Sequence, residues 1–360
     1  MKTIHDNIWG GIYVSELALS WLDTEEFQRM HQIRQTGVAY KVFPTAVVSR
    51  FAHSLGAYHV TRLLLSHLEA VQPEIFTRLT VRDRELIALA ALLHDIGHGP
   101  FSHAFDTYVQ EQSGVTSTWI RHEDRSCDLI ALINTRYGLV TREEVDFLQS
   151  LVDPVRHPCA TTEGQWYRHL IANPHHGIDT DKLDYILRDN HQFGLSMTVD
   201  VHRILRNCRV IDQVLCFSDR IQDELWNLFL IRHRLHATIY RHPRILKFER
   251  ELVAIFQGLE STLGISAMIR DKDANGFLRM TDAVIMVHAD RELWHQFETR
   301  TSPLVFSKEF VPYKDHQFPR LVHVWFYTKQ DLTHKFHLPF PSPHCPFPIP
   351  VTTTIDLKGL

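Results

Sequence analysis

No stretch of this sequence is apolar for long enough to span a bilayer. The longest apolar run, Leu86 to Leu93, is far short of the roughly 20 residues that a membrane-crossing helix needs. The opening residues, Met1 to Asp6, lack the apolar core of a signal peptide. A soluble, cytoplasmic protein is expected. Cysteine is scarce: Cys127, Cys159, Cys208, Cys216 and Cys345 form no CxxC pair. An odd, scattered set predicts reduced thiols and an intracellular setting, not a disulfide scaffold. No run of five basic residues occurs, and the formal net charge is -4. Nothing global recommends a nucleic-acid partner, although one is left open, and a local basic pocket for a small anion is compatible with this balance. There is no internal repeat.

What is present has globular proportions, with 44 % hydrophobic and 22 % charged residues over 360 positions. That length predicts one large domain with an accessory piece. Histidine is the outlier at 25 copies. It is the commonest metal ligand and the usual acid or base near neutral pH, but abundance alone defines no site.

The patterning is mainly helical. Asp23 followed by Glu26 reads as a capping box opening a helix to about Arg34. Helical periodicity runs from near Phe51 to His67, and again from after Asp83 into His94-Asp95 with an almost wholly apolar face. Gly97, Gly99 and Pro100 break that helix. Thr141 with Glu144 caps another, ending before Pro154. Asp179 to Asp189 reads as helix, Arg209 to Phe217 as a hairpin around Asp212-Gln213, and Asp219 to Tyr240 as one long helix. Pro243 permits the next. Leu321 to Tyr327 suits a strand, and six prolines between Pro339 and Pro350 exclude helix. The expected fold is mainly α: a helical core over 1–265, a small α+β accessory subdomain over 266–330, and a Pro-rich tail over 331–360.

The richest segment is His94-Asp95-Ile-Gly-His98-Gly-Pro-Phe-Ser-His103. Adjacent His and Asp side chains splay apart within a helix, but at a glycine-opened helix end they can converge on one cation. Imidazole with carboxylate suits a divalent transition metal. A His-Asp dipeptide is common by chance, so context matters. His53 stands in Arg50-Phe-Ala-His53-Ser-Leu-Gly56, and Asp181 in Gly177-Ile-Asp-Thr-Asp181-Lys182. The order His53, His94-Asp95, Asp181 resembles the metal-ligand pattern of the HD superfamily, which leaves positions for water and substrate.

Further blocks make the resemblance specific: Asp6-Asn-Ile-Trp-Gly10, Asp23-Thr-Glu-Glu-Phe-Gln-Arg29, Gln35-Thr-Gly37, Tyr185 and, more weakly, Leu278-Arg-Met-Thr-Asp282. Residues 1 to about 310 resemble the HD-domain deoxynucleoside triphosphate triphosphohydrolases, in the form that elsewhere carries a sterile-alpha-motif domain. The resemblance implies cleavage of a dNTP between the α-phosphorus and the 5′ oxygen, releasing deoxynucleoside and triphosphate and lowering dNTP pools. It implies a divalent metal (iron, manganese, zinc or magnesium) with a second magnesium accompanying the substrate. It assigns Arg50, Lys182 and Arg232 to the polyphosphate, where arginine grips bidentately and lysine acts as a point charge. His103 or His122 would protonate the departing oxygen, with Asp106 orienting His122 and His98 contacting phosphate. Gln35 and Asp189 would meet the 3′ hydroxyl, and Tyr240 would crowd the 2′ position. Lys182, Tyr185 and Asp189 share a helix face, as do Arg232, His236 and Tyr240. The histidines and tyrosines also have an ordinary reading as surface or core residues.

The resemblance further implies a homo-oligomer, a dimer or larger, and a regulatory guanine nucleotide read by Asp23 and Gln28, with Arg203 assisting. Here the sequence departs from the pattern. His31 replaces an arginine, His5 an asparagine, and Thr36 a leucine near the base. No sterile-alpha-motif segment is recognised, and the C-terminal regulatory lobe reads as shortened. Asp23 has its own explanation as an N-cap. Two other readings compete: a different HD phosphohydrolase (a nucleotidase, phosphodiesterase or nuclease), since the metal set is shared while base contacts are not, and a nucleotide-sensing protein with little turnover.

Overall fold

The computed structural model describes residues 2–112, 117–158, 165–302 and 324–337. The Pro339–Pro350 stretch, Cys159 and Cys345 lie outside them. The chain opens with an antiparallel hairpin, β1 (Lys2–Asp6) and β2 (Gly10–Val14). The main helices follow: α1 (Glu16–Leu22), α2 (Arg50–Val71), α3 (Val81–Leu93), α4 (His103–Glu111), α5 (His122–Tyr137), α6 (Arg142–Val152), α7 (Thr180–Gln192), α8 (Gln222–Arg234) and α9 (Pro243–Gly258). The fold is mainly α. Among the described residues no helix is long and apolar enough to cross a membrane.

The core sits on α3. Every residue from Leu86 to Leu93 is buried, as a helix apolar on all sides requires. α2 packs on α3 and α7, and α6 packs on α3 and α5. α2 starts where the Ser49 hydroxyl accepts from the Ala52 N–H. α3 starts at a reciprocal capping box, Thr80 with Asp83, three residues before the expected start. The box at Thr141 and Glu144 opens α6 as expected. A bond between the Thr61 and Thr180 hydroxyls, 2.8 Å, ties α2 to the start of α7.

The hairpin around Asp212-Gln213 forms as β3 (Cys208–Ile211) and β4 (Val214–Ser218), with both turn residues at positive φ. The tight two-residue turn requires that backbone to match the strand twist. β5 (Trp325–Tyr327) adds to β4 in parallel, and β6 (Phe336–His337) pairs antiparallel with β5. The sheet therefore joins two distant parts of the chain. Residues 265–302 lie against the helical core: Phe277, Met280, Ile285 and Phe297 are buried within it.

Two expected helices differ. Asp23 is exposed and closes α1. Thr24, one residue on, is the cap, accepting from the Phe27 N–H at 3.3 Å and opening a single turn that tightens into a 3-10 turn at Arg29–Gln32. The N-cap explanation for Asp23 thus fails. The long helix after Asp219 is a 3-10 turn (Asp219–Ile221), then α8, then a π-helical turn over Leu235–Tyr240. The winding widens at His236 and Tyr240, and such turns recur at functional sites.

Candidate metal centre

Three helix ends meet at one point. His53 lies in the first turn of α2, His94 caps the C-terminus of α3 with Asp95 next, and Asp181 is in the first turn of α7. His53 Nε2 is 3.4 Å from Asp95 Oδ2 and 3.1 Å from Asp181 Oδ1. His94 Nε2 is 3.4 Å from Asp95 Oδ1 and 3.6 Å from Asp181 Oδ1. The other ring nitrogens are engaged: His53 Nδ1 with Asp184 Oδ2 at 2.8 Å, and His94 Nδ1 with the Ala91 carbonyl at 2.9 Å. Both Nε2 atoms are buried and lack a hydrogen-bond partner. Two imidazoles, each fixed through Nδ1 and aiming Nε2 at the same carboxylates, form a donor set that fits a divalent transition ion once Nε2 gives up its proton.

The field agrees. Burial pushes Asp95 and Asp181 up, but the surrounding cations outweigh it. Arg50 and His94 hold Asp95 well below the usual carboxylate range, and the close approach of the His53 and His94 rings does the same for Asp181. Burial pushes the His53 imidazole down, yet Asp181 and Asp184 raise it to about 10. A potential negative enough to hold a proton there is suited to holding a divalent cation instead.

A second cluster adjoins the first. Ligand-type atoms of His98, His103, Asp106 and His122 all lie within 4.8 Å of one another. Asp106 is the hub: buried, ion-paired with the fully buried Arg125 and 3.1 Å from His122 Nδ1. His98 and His103 approach it at 3.7 Å. Despite burial, Arg125 and the imidazoles keep Asp106 well below its ordinary range. Burial lowers His122, but Asp106 prevails and its pKa is raised. His98 moves the other way, well below its ordinary value, through burial and the nearby charges of Arg50 and His122. Its ring stacks on His122, with centroids 3.8 Å apart, and its Nε2 lies 3.4 Å from Asp95 Oδ1. A neutral His98 therefore stands between the two clusters, with both nitrogens buried and unpartnered.

The HD domain model matches residues 50–189, the span that carries every one of these groups. Residues 50–189 are therefore an HD domain. The chain is 32 % identical over 286 residues to the Dictyostelium discoideum protein named deoxynucleoside triphosphate triphosphohydrolase SAMHD1 homolog, covering 79 % of this chain and 54 % of that protein. It is 30 % identical to the Gallus gallus deoxynucleoside triphosphate triphosphohydrolase SAMHD1, covering 89 % of this chain and 58 % of that one. With the Homo sapiens protein of the same name it shares 33 % identity over 67 % of this chain and 42 % of its relative. The chain spans about half the length of these relatives.

The remaining candidate residues lie inside and outside the HD span. Arg50 is buried, ion-paired with Asp95, and donates to Ser102 Oγ at 2.9 Å and to the Gln35 carbonyl at 3.4 Å. Its guanidinium is thus already shared with a carboxylate, which sequence patterning did not suggest. Gln35 is buried with Oε1 unpartnered. Lys182 Nζ donates to Asp179 Oδ2 at 2.7 Å. Two turns further along α7 the Tyr240 hydroxyl donates to Asp189, whose carboxyl burial pushes up to about 6. His236 meets Tyr240 edge-on at 5.0 Å, and Tyr185 lies in the field of Arg232 and Lys182. The regulatory candidates do not gather in this way. Asp23 is exposed, the Gln28 amide donates to the Leu22 carbonyl at 2.8 Å, and Arg203 pairs with Glu224 at 3.5 Å.

Four residues without an assignment from sequence belong to the site. Asp184 and Arg125 hold His53 and Asp106. Ser102, at φ 57, donates to the Arg34 carbonyl at 2.6 Å and accepts from Arg50. Asp282, from near the C-terminus, accepts from the Phe101 N–H at 2.7 Å and anchors the positive-φ pair Phe101-Ser102 just before His103. A signal existed for Ser102 and Asp282, which lie in the quoted blocks His94 to His103 and Leu278 to Asp282, and Asp184 stands two residues beyond the block that ends at Lys182.

Proposed function

We propose that this HD-domain protein hydrolyses deoxynucleoside triphosphates to deoxynucleoside and inorganic triphosphate. The observation that carries the reading is the adjacency of a metal-ready His/Asp set to an acid–base cluster, joined through His98 at 3.4 Å from Asp95. The names of the relatives supply the substrate class. In this reading His53, His94, Asp95 and Asp181 hold a divalent transition ion, and a magnesium arrives with the substrate. When bound, the ion supplies a water of lowered pKa and polarises the phosphoryl oxygens.

The chain's own groups do the rest. Arg50, Lys182 and Arg232 gather positive charge where negative charge builds on the triphosphate oxygens in the transition state. The water oxygen bonds to the α-phosphorus as the bond to O5′ breaks. His122, protonated through its Asp106 partner, delivers a proton to O5′, and Arg125 keeps Asp106 ionised throughout. His103, exposed at the same cluster, is the alternative donor. His98 contacts phosphate as a neutral donor. Gln35 and Asp189 hydrogen-bond the 3′ hydroxyl. Tyr240, fixed by its bond to Asp189, leaves no room for a 2′ hydroxyl, with His236 and Tyr185 packing the sugar.

The test is product analysis on all four dNTPs, with and without GTP. Unbranched triphosphate is expected. Orthophosphate or pyrophosphate alone overturns the reading. Stimulation by GTP would extend it to regulation through Asp23, Gln28 and Arg203.

A further inference from the structure

His53 is held from behind. Its Nδ1 donates to Asp184 Oδ2 at 2.8 Å. Asp184 is completely buried and accepts three further bonds: from Arg188 Nε at 2.9 Å, from Arg188 Nη2 at 2.8 Å, and from the Trp9 indole at 2.6 Å. Arg188, also fully buried, uses its remaining nitrogen on Asp6 Oδ2 at 2.8 Å. The other Asp6 oxygen accepts the backbone N–H groups of Ile8 and Trp9, both at 2.9 Å. One carboxylate thus both pairs with Arg188 and shapes the turn that presents the Trp9 indole. A continuous chain of bonds runs from the tip of the N-terminal hairpin to the ring of His53.

Such a chain is costly to assemble. Two buried charges lose several kcal/mol of hydration each unless every lone pair and N–H is engaged. Here both oxygens of Asp184 carry two bonds each. One of the four goes to an imidazole whose opposite nitrogen is buried, unpartnered and aimed at Asp95 and Asp181. A carboxylate in that position fixes the Nδ1–H tautomer, sets the ring's direction and makes Nε2 a stronger donor. The Trp9 indole holds the carboxylate from the side opposite His53, so it sets where the carboxylate points.

We propose that Asp184 is the positioning carboxylate of the metal centre, and that the β1–β2 turn, through Trp9 and Asp6, is a working part of that centre and sets its affinity for the divalent ion. The proposal rests on the reading of His53 as a ligand. Asp184 itself touches no substrate, so its role shows in metal affinity and ligand field, not only in rate.

The test uses the full chain, stripped of metal by chelation, with Co²⁺ or Mn²⁺ alone as probe. Dissociation constants come from competition with a chelating dye, and the ligand field from the visible Co²⁺ spectrum. Trp9→Phe removes one donor and keeps the ring. Asp184→Asn keeps the shape and removes the charge. Each should weaken binding about ten- to a hundred-fold and shift the Co²⁺ bands. Tyr13→Ala, on β2 with an exposed side chain, should change neither. Wild-type affinity and an unshifted spectrum in Trp9→Phe would overturn the proposal while leaving the metal reading intact. A wild-type chain that takes up no divalent ion would overturn both. Should Asp184→Asn fail to fold, Trp9→Phe decides alone.

Discussion

Gly56→Ala sets two effects of opposite sign against each other. Gly56 lies inside α2, where exchanging glycine for alanine ordinarily stabilises a helix by about 1 kcal/mol. A Cβ on this residue, however, would sit 1.8 Å from Asp184 Oδ1 and 2.4 Å from Arg188 Nη2. The carboxylate would have to withdraw by more than an ångström, and nothing lets it. It is fully buried and held by His53, Arg188 and Trp9. Its displacement breaks a buried ion pair, which costs about 3–5 kcal/mol. Net of the helix gain, destabilisation by about 2–4 kcal/mol is expected. Urea unfolding of the metal-free chain measures it, and Co²⁺ uptake should fall in the same variant. A Gly56→Ala protein as stable as the parent, or more so, would show that the close approach of α2 to α7 is not what the geometry implies, and the reasoning would be wrong.

Asp282→Ala should destabilise the fold by about 2–4 kcal/mol, because it strands the Phe101 N–H and two groups of Arg34. Turnover should fall more than urea stability alone explains, since the Phe101-Ser102 turn sets His103. Asp106 has its folded pKa depressed by Arg125 against the effect of burial. Its contribution to stability is therefore present above the unfolded value near 3.8 and lost as pH falls further. Acid unfolding should be steep below pH 4 and flatter in Asp106→Asn, as followed by circular dichroism. The raised pKa of His122 extends its acid form to higher pH, and that form is lost on the alkaline side. The alkaline limb of the rate profile should vanish in His122→Ala, and survival of that limb would reassign the proton to His103. Adding Mn²⁺ to the stripped chain at a hundred times its dissociation constant should raise stability by about 2.7 kcal/mol. An unchanged unfolding midpoint would mean that no ion binds the native state.

Much of the fold was written locally. The Thr141–Glu144 box, the Asp212-Gln213 turn, Pro243 at the start of α9 and the apolar run of α3 all act over two to four residues. Such signals survive in a one-dimensional reading because caps, turns and periodicity are nearest-neighbour effects. The first cap was misplaced by one residue, from Thr24 to Asp23, because both side chains suit an N-cap and only packing selects between them. The π-helical turn at His236 and Tyr240 left no trace in a pattern read at four-residue spacing.

The site divides in the same way. His53, His94, Asp95 and Asp181 were legible as ligand types in a recognisable order. Which nitrogen of each imidazole is free was not, because that depends on Asp184, 131 residues from His53, and on a backbone carbonyl. Arg125 beneath Asp106, Asp282 against Phe101 and Trp9 against Asp184 are likewise contacts across long sequence separations. By itself, the sequence determined which chemical groups were available and which helices would carry them. Only the tertiary structure decided their protonation, tautomer and aim, because those follow from the charges and hydrogen bonds that other elements bring into the low-dielectric interior.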